Sequence, residues 1–234
     1  SGLTLIPGEA SEAPPCDLIS AADLTRSGSD QVVCFVGDSV HIGDQSSTLG
    51  GRPQRLVTGD IDGDGTDELV VATGTARGAP DAPIRIWAIR PSGAELLYTE
   101  DVERNQVVDL QIISEGLLVS SFLRGKVVQS RLWTPAGMKP VYQANMAMQM
   151  RKSGDRLVVG RLYGDAPKSP GDLQVHEGQS PPRTLRTLRG VKALELADLD
   201  RDGDDELLVA DGWHYAYGEH GVARLIVFDG PEWR

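Results

Sequence analysis

Two acidic segments recur in this chain at a multiple of a shorter spacing, and that recurrence constrains the fold more than any other feature. Residues 59–72 read GDIDGDGTDELVVA and residues 197–210 read ADLDRDGDDELLVA. Asp60 and Asp198 stand 138 residues apart, three times 46. A third, weaker copy, ADLTRSGSDQVVC, occupies residues 22–34 and carries its first acid at Asp23. A second ruler is independent of the acids. Short alternating stretches, each followed by a turn, read SVHIGD, IRIWAIRPSG, SRLWTPAG, LQVHEGQ and LIVFDG. Aligned, they place His41, Trp87, Trp133, His176 and Phe228 in one column, at steps of 46, 46, 43 and 52 residues.

Each unit reads as several short strands. Arg55–Ile61, Glu68–Thr73, Ile84–Ile89 and Glu95–Glu100 are β-branched or apolar runs bounded by Gly, Pro, Asp or Ser. Val107–Ile113, Leu117–Phe122, Val127–Trp133 and Pro140–Gln143 form the next set, and no segment shows the 3.6-residue period of an amphipathic helix. Met146, Met148 and Met150 alternate as along a strand, which predicts one core-facing side. The chain of 234 residues therefore predicts an all-β single domain, residues 1–234, of five units with four strands each. A repeat of about 40–50 residues holding several strands is the pattern of a β-propeller. The last unit runs out after Phe228, and GLTLIP (Gly2–Pro7) alternates like a strand. The expectation is that this N-terminal strand completes the last blade and closes the ring, the alternative being an arc of a larger propeller.

The acidic turns have the spacing of an oxygen cage. Calcium takes six to eight oxygen ligands, and a short loop supplies them from alternate side chains. In one turn Asp60, Asp62, Asp64 and Glu68 fall at positions one, three, five and nine, with the backbone carbonyl of Thr66 at seven. In the other the same places fall to Asp198, Asp200, Asp202, Glu206 and the carbonyl of Asp204. Gly65 and Gly203 take the sharp turn. An EF-hand needs a Glu at position twelve and flanking helices; here Val71 and Val209 stand at twelve and both turns run into strand-like ELVVA and ELLVA. Two calcium ions are expected, and none at Asp23, where Thr25, Ser27 and Gln31 replace three acids.

The pattern D-x-D-x-D-G-x-x-[DE] between two strands resembles the FG-GAP/VCBS repeats of integrin α-subunits and of many secreted bacterial proteins. This chain departs from it in having Glu68 and Glu206 where the family usually has Asp. The resemblance implies a calcium-binding extracellular propeller whose second-to-third-strand loops, opposite the calcium turns, bind ligand. On that face the long aromatic loop 211–221 offers Trp213, His214, Tyr215 and Tyr217 as candidate contacts, with Arg77, Arg161 and Tyr163 of the other loops adding polar contacts.

The resemblance further implies a secreted, periplasmic or cell-surface module in recognition or adhesion, with a protein or carbohydrate as partner. A net charge of −11 argues against nucleic acid and anionic membrane as partners. No apolar run reaches the length of a membrane span. Cys16 and Cys34 fall in neighbouring strands of the first unit, and a disulfide between them is expected. His41 and His176 share their column with aromatic residues and are read as packing. No local nucleophile–base set is visible, so no catalytic residue is assigned. A polysaccharide lyase or hydrolase, or a purely architectural domain of a larger surface protein, stand as the alternatives.

Overall fold

The computed structural model of the chain describes residues 15–74, 82–100, 106–122, 127–162, 170–178, 180–212, 223–230 and 233, the Met148 side chain excepted. Among them are 19 strands and no helix. The strands form five antiparallel sheets in chain order, the first four with four strands and the fifth with three. The first sheet holds β1 (Leu18–Ala22), β2 (Gln31–Val36), β3 (Ser39–Ile42) and β4 (Gln45–Thr48). The second holds β5 (Pro53–Gly59), β6 (Glu68–Thr73), β7 (Ile84–Arg90) and β8 (Gly93–Glu100). The third holds β9 (Val107–Ile113), β10 (Gly116–Phe122), β11 (Val127–Thr134) and β12 (Gly137–Asn145). The fourth holds β13 (Ala147–Ser153), β14 (Arg156–Arg161), β15 (Gly171–Glu177) and β16 (Arg183–Leu188). In the fifth, β17 (Val191–Ala197), β18 (Glu206–Asp211) and β19 (Arg224–Phe228) pair in that order.

The sheets stack face to face because their middle strands are apolar on both sides. In β6, Val70 and Ala72 join Val107, Leu117 and Val119 of the third sheet. Leu69 and Val71, pointing the other way, join Val33, Phe35 and Val40 of the first. Val108, Leu118 and Val128 meet Ala147, Met150 and Val159 across the next interface, and Val158, Leu173 and Val175 meet Leu194, Leu207 and Val209 across the last. The first strands β5, β9, β13 and β17 lie beside one another in succession. All-β structure with successive four-stranded antiparallel sheets stacked about their first strands is the arrangement of a β-propeller. Gly2–Pro7, expected to close the ring, lie outside the described residues.

Two expectations are corrected. Met146 is not part of the strand that carries Met150: it sits between β12 and β13 with φ at 52°, and its burial comes from that turn. The column of third-strand residues slips after the second unit. His41 faces Cys34 and Trp87 faces Val71, three residues after Gln31 and Glu68. Trp133, His176 and Phe228 face Leu117, Leu157 and Leu207, each one residue after the first of its second strand, and in the last unit Ile226, opposite Val209, takes the place of Trp87. Of the expected packing residues, Trp133 and Phe228 are buried, and His176 packs edge-on against Tyr142 with ring centres 4.8 Å apart. Burial holds the His176 imidazole below its usual pKa, toward the neutral form. The Cys16–Cys34 disulfide is formed, with Cα atoms 5.5 Å apart.

Candidate metal centres and the opposite face

The two acidic turns are β-hairpin connections, β5 to β6 and β17 to β18, and neither is flanked by a helix. The weaker copy links β1 to β2 in the same place. All three share one backbone. Position four is left-handed in each: Arg26 at 56°, Gly63 at 77° and Arg201 at 67°. Position six is a left-handed glycine in each: Gly28 at 75°, Gly65 at 78° and Gly203 at 98°. The first Asp holds the turn by accepting hydrogen bonds from backbone N–H groups. Asp60 accepts from Gly63 at 2.7 Å and Gly65 at 2.6 Å. Asp198 accepts from Gly203 at 3.2 Å. Asp23 accepts from Ser27 at 2.9 Å and Gly28 at 2.6 Å. Some desolvation opposes ionisation at Asp23, but the N–H groups of Gly28, Ser27 and Thr25 outweigh it and hold the carboxyl below its usual range.

In each acidic turn three carboxylates converge. Oxygens of Asp60, Asp62 and Glu68 lie within 4.8 Å of one another, and so do those of Asp198, Asp200 and Glu206. The ninth-position glutamates are the first residues of β6 and β18 and are buried, 2% and 4% exposed. Glu68 accepts a hydrogen bond from the Ile61 N–H at 3.2 Å, and Glu206 one from the Leu199 N–H at 2.6 Å. Burial pushes the Glu68 carboxyl above its usual range, against the pull of the Ile61 N–H and Arg90. Arg90 leans over the first cluster, donating to Asp62 at 2.9 Å and Glu68 at 3.3 Å and pairing with Glu95. Among the described residues no cation faces the second cluster in the same way. Three carboxylates at that separation repel unless a positive charge or a proton sits among them. A hard divalent ion with oxygen ligands suits the set.

The hairpin at Asp23 shows how the same turn closes without acids. Gln31 stands where Glu68 and Glu206 stand, and its Oε1 accepts from the Leu24 N–H at 3.0 Å. Its Nε2 donates to Thr25 Oγ1 at 2.9 Å, in the place of Asp62 and Asp200. A neutral amide hydrogen thus bridges ninth and third positions where two carboxylates face each other in the acidic copies.

The fifth-position acids do not join the clusters. Asp64 accepts from the Thr66 N–H at 2.6 Å and pairs with Arg26 of the neighbouring hairpin at 3.0 Å. The Thr66 bonds, chiefly, and Arg26 hold its carboxyl below the usual range. Asp202 accepts from the Asp204 N–H at 2.9 Å. Thr66 and Asp204, assigned backbone ligands, lie in these turns, and their N–H groups serve the fifth-position acids. Trp233 steadies the second hairpin, its indole N–H donating to the Asp205 carbonyl at 2.9 Å.

Antiparallel strands place the second-to-third connections at the other end of each sheet. There Arg161, at the end of β14, forms a two-pronged pair with Asp172 of β15, at 2.6 and 2.5 Å. Trp213, His214, Tyr215, Tyr217, Arg77 and Tyr163 lie outside the described residues.

Sequence reasoning missed a charge network on the inner strands. Arg151 of β13 donates to Asp109 of β9 at 2.7 Å and to Glu195 of β17 at 3.0 and 3.1 Å, tying three sheets together. Arg55 of β5 donates to the Val108 carbonyl at 2.7 Å. These residues line a cavity of 320 Å3. Burial raises the Asp109 carboxyl above its usual range, although Arg151 and the Met150 N–H favour the anion. The signal was present in the numbering: Asp109, Arg151 and Glu195 are each about one repeat apart.

No family model matches the chain, and no curated protein is similar to it in sequence. Among solved structures it is similar to the chain described as "Crystal structure of BBS1N in complex with ARL6DN, soaked with lead". The two are 15% identical, over 82% of this chain and 75% of that one, with a TM-score of 0.42.

Proposed function

We propose that this chain is a calcium-stabilised recognition module of the FG-GAP/VCBS type, working outside the cytoplasm and binding a protein or glycan through the face opposite its acidic hairpins. In this reading Asp60, Asp62 and Glu68 hold one ion, and Asp198, Asp200 and Glu206 the other. Asp64, Asp202 and the carbonyls of Thr66 and Asp204 are the remaining oxygens within the same turns. The observation that carries the reading is the comparison of three hairpins on one backbone. Where Gln31 supplies an amide hydrogen the turn closes by itself; where Glu68 and Glu206 replace it, like charges converge, partly offset by Arg90 in the first cluster. The ion is structural: it neutralises the turn and fastens the first strand of the sheet to the second. The Cys16–Cys34 bridge supports an oxidising compartment.

The same reading takes the five sheets as five blades, with Gly2–Pro7 pairing along β19 to give the fifth sheet the fourth strand that the other sheets have. Binding rather than catalysis is proposed because the polar groups that converge in the inner cavity are engaged in holding sheets together.

Calorimetric titration with calcium and thermal unfolding with calcium or a chelator test the metal reading. Two ions per chain are expected. Calcium at a hundred times its dissociation constant adds about 2.7 kcal/mol per site and raises the unfolding midpoint. A midpoint indifferent to calcium and chelator would falsify the proposal.

A further inference from the structure

At the face opposite the acidic hairpins, between the fourth and fifth sheets, lies a cavity of 320 Å3 lined by Arg186, Arg189 and Arg224, with Leu188, Ile226 and Pro170 as its apolar walls. Three arginines line this one cavity in a chain of net charge −11. Arg26, Arg90, Arg131, Arg151, Arg156 and Arg161 each meet a carboxylate. Arg186 and Arg224 are exposed and have no ion pair among the described residues.

The backbone around the cavity is built tightly. The Gly212 N–H donates to the Gly190 carbonyl at 3.0 Å. A Cβ on Gly190 would fall on the Leu162 carbonyl oxygen, and one on Gly171 on the carbonyl of Arg161. Asp211, the one acid among the described lining residues, is buried and spends an oxygen on the N–H groups of Arg189, at 2.7 Å, and Gly190, at 3.2 Å. That fixes the turn from which Arg189 projects. The cavity walls are therefore held rigidly while Arg186 and Arg224 at its rim are exposed to water, the condition for selective capture of an anion.

We propose that this cavity binds a carboxylate side chain of an acidic peptide segment in a protein partner. The proposal rests on the recognition reading above and names the chemistry of the ligand. The guanidinium forks take the carboxylate oxygens, and Leu188, Ile226 and Pro170 take the aliphatic stem behind it. Among the described residues the lining has neither an aromatic ring to stack on nor an amide side chain to read hydroxyls, which favours the carboxylate over a sugar.

The test uses the calcium-loaded full chain and a fluorescein-labelled octapeptide of alternating Glu and Leu, read by anisotropy at 50 mM and 500 mM NaCl. The Glu peptide binds and weakens with salt, and the same peptide with Gln for Glu does not bind. The Arg186→Ala/Arg224→Ala double variant weakens binding at least tenfold. Arg183→Ala, an exposed residue of the same strand that does not line the cavity, leaves it unchanged; exposed substitutions of this kind keep the fold, and unfolding midpoints verify that. Equal binding of the Gln peptide, an unaffected double variant, or binding of a heparin oligosaccharide without the peptide overturns the proposal. Calcium-dependent melting is recorded on the same samples. A retained calcium shift without Glu-dependent binding removes the acidic-peptide site alone, and an absent calcium shift removes the metal reading.

Discussion

Gln31 states in one side chain what the two acidic hairpins lack. It accepts the second-position N–H as Glu68 and Glu206 do, and adds a donor toward Thr25 that a carboxylate does not have. Transplanting the pair tests the logic. Asp200→Thr with Glu206→Gln should leave the fold intact, lower the bound calcium from two ions to one, and roughly halve the rise in unfolding midpoint that calcium produces. Titration calorimetry and scanning fluorimetry in calcium and in chelator measure both quantities. The convergence of the acids at positions one, three and nine was legible in the sequence because their spacing places them on one side of a tight turn. The position of Asp64 was not. Its salt bridge runs to Arg26, 38 residues away, and depends on two hairpins being neighbours at the rim.

Strands were legible where turn residues bound an apolar run. Glu68–Thr73 and Val107–Ile113 match the expected bounds, because Asp-Gly-rich or charged segments end them sharply. Gly137–Asn145 runs longer than the expected Pro140–Gln143, since an outer strand carries polar residues and its apolar pattern fades. The slip at Phe228 came from matching aromatic residues when the pairing follows hydrogen-bond register. The disulfide acts at this scale too. It joins the segment before β1 to β2 across a separation of 18 residues and pins the first-strand edge of the first sheet. Closing a loop of that size is worth about 3 kcal/mol. Replacing both cysteines with serine should lower unfolding stability by about that amount in urea titration, without changing the calcium stoichiometry.

The whole molecule is tied at its centre by Arg151, whose two carboxylate partners come from the sheets on either side. The Asp109 carboxyl faces Arg151, with Glu195 and Arg55 lining the same cavity, and burial raises its pKa above the ordinary 3.8. A raised carboxyl pKa gives stability that is fully present below 3.8 and is lost as pH rises through the folded-state value. The difference in unfolding free energy between the native chain and Asp109→Asn should therefore fall as pH rises from 3.8 and level off above the folded-state value, in urea titrations read across pH 3.5–7. This network was not legible as chemistry, because partners one repeat apart meet only when sheets stack. The stack also has two ends. The first sheet turns Ile19 and Val32, 63% and 64% exposed, away from the second, and the fifth turns Leu225, 68% exposed, and Val227 away from the fourth. Oily patches on opposite ends of a single molecule have two ways to leave water: they seal against one another, or each finds its counterpart on the next copy. A population held apart at this seam would lengthen head to tail into fibres, so concentration-dependent light scattering reads how well the seam is shut.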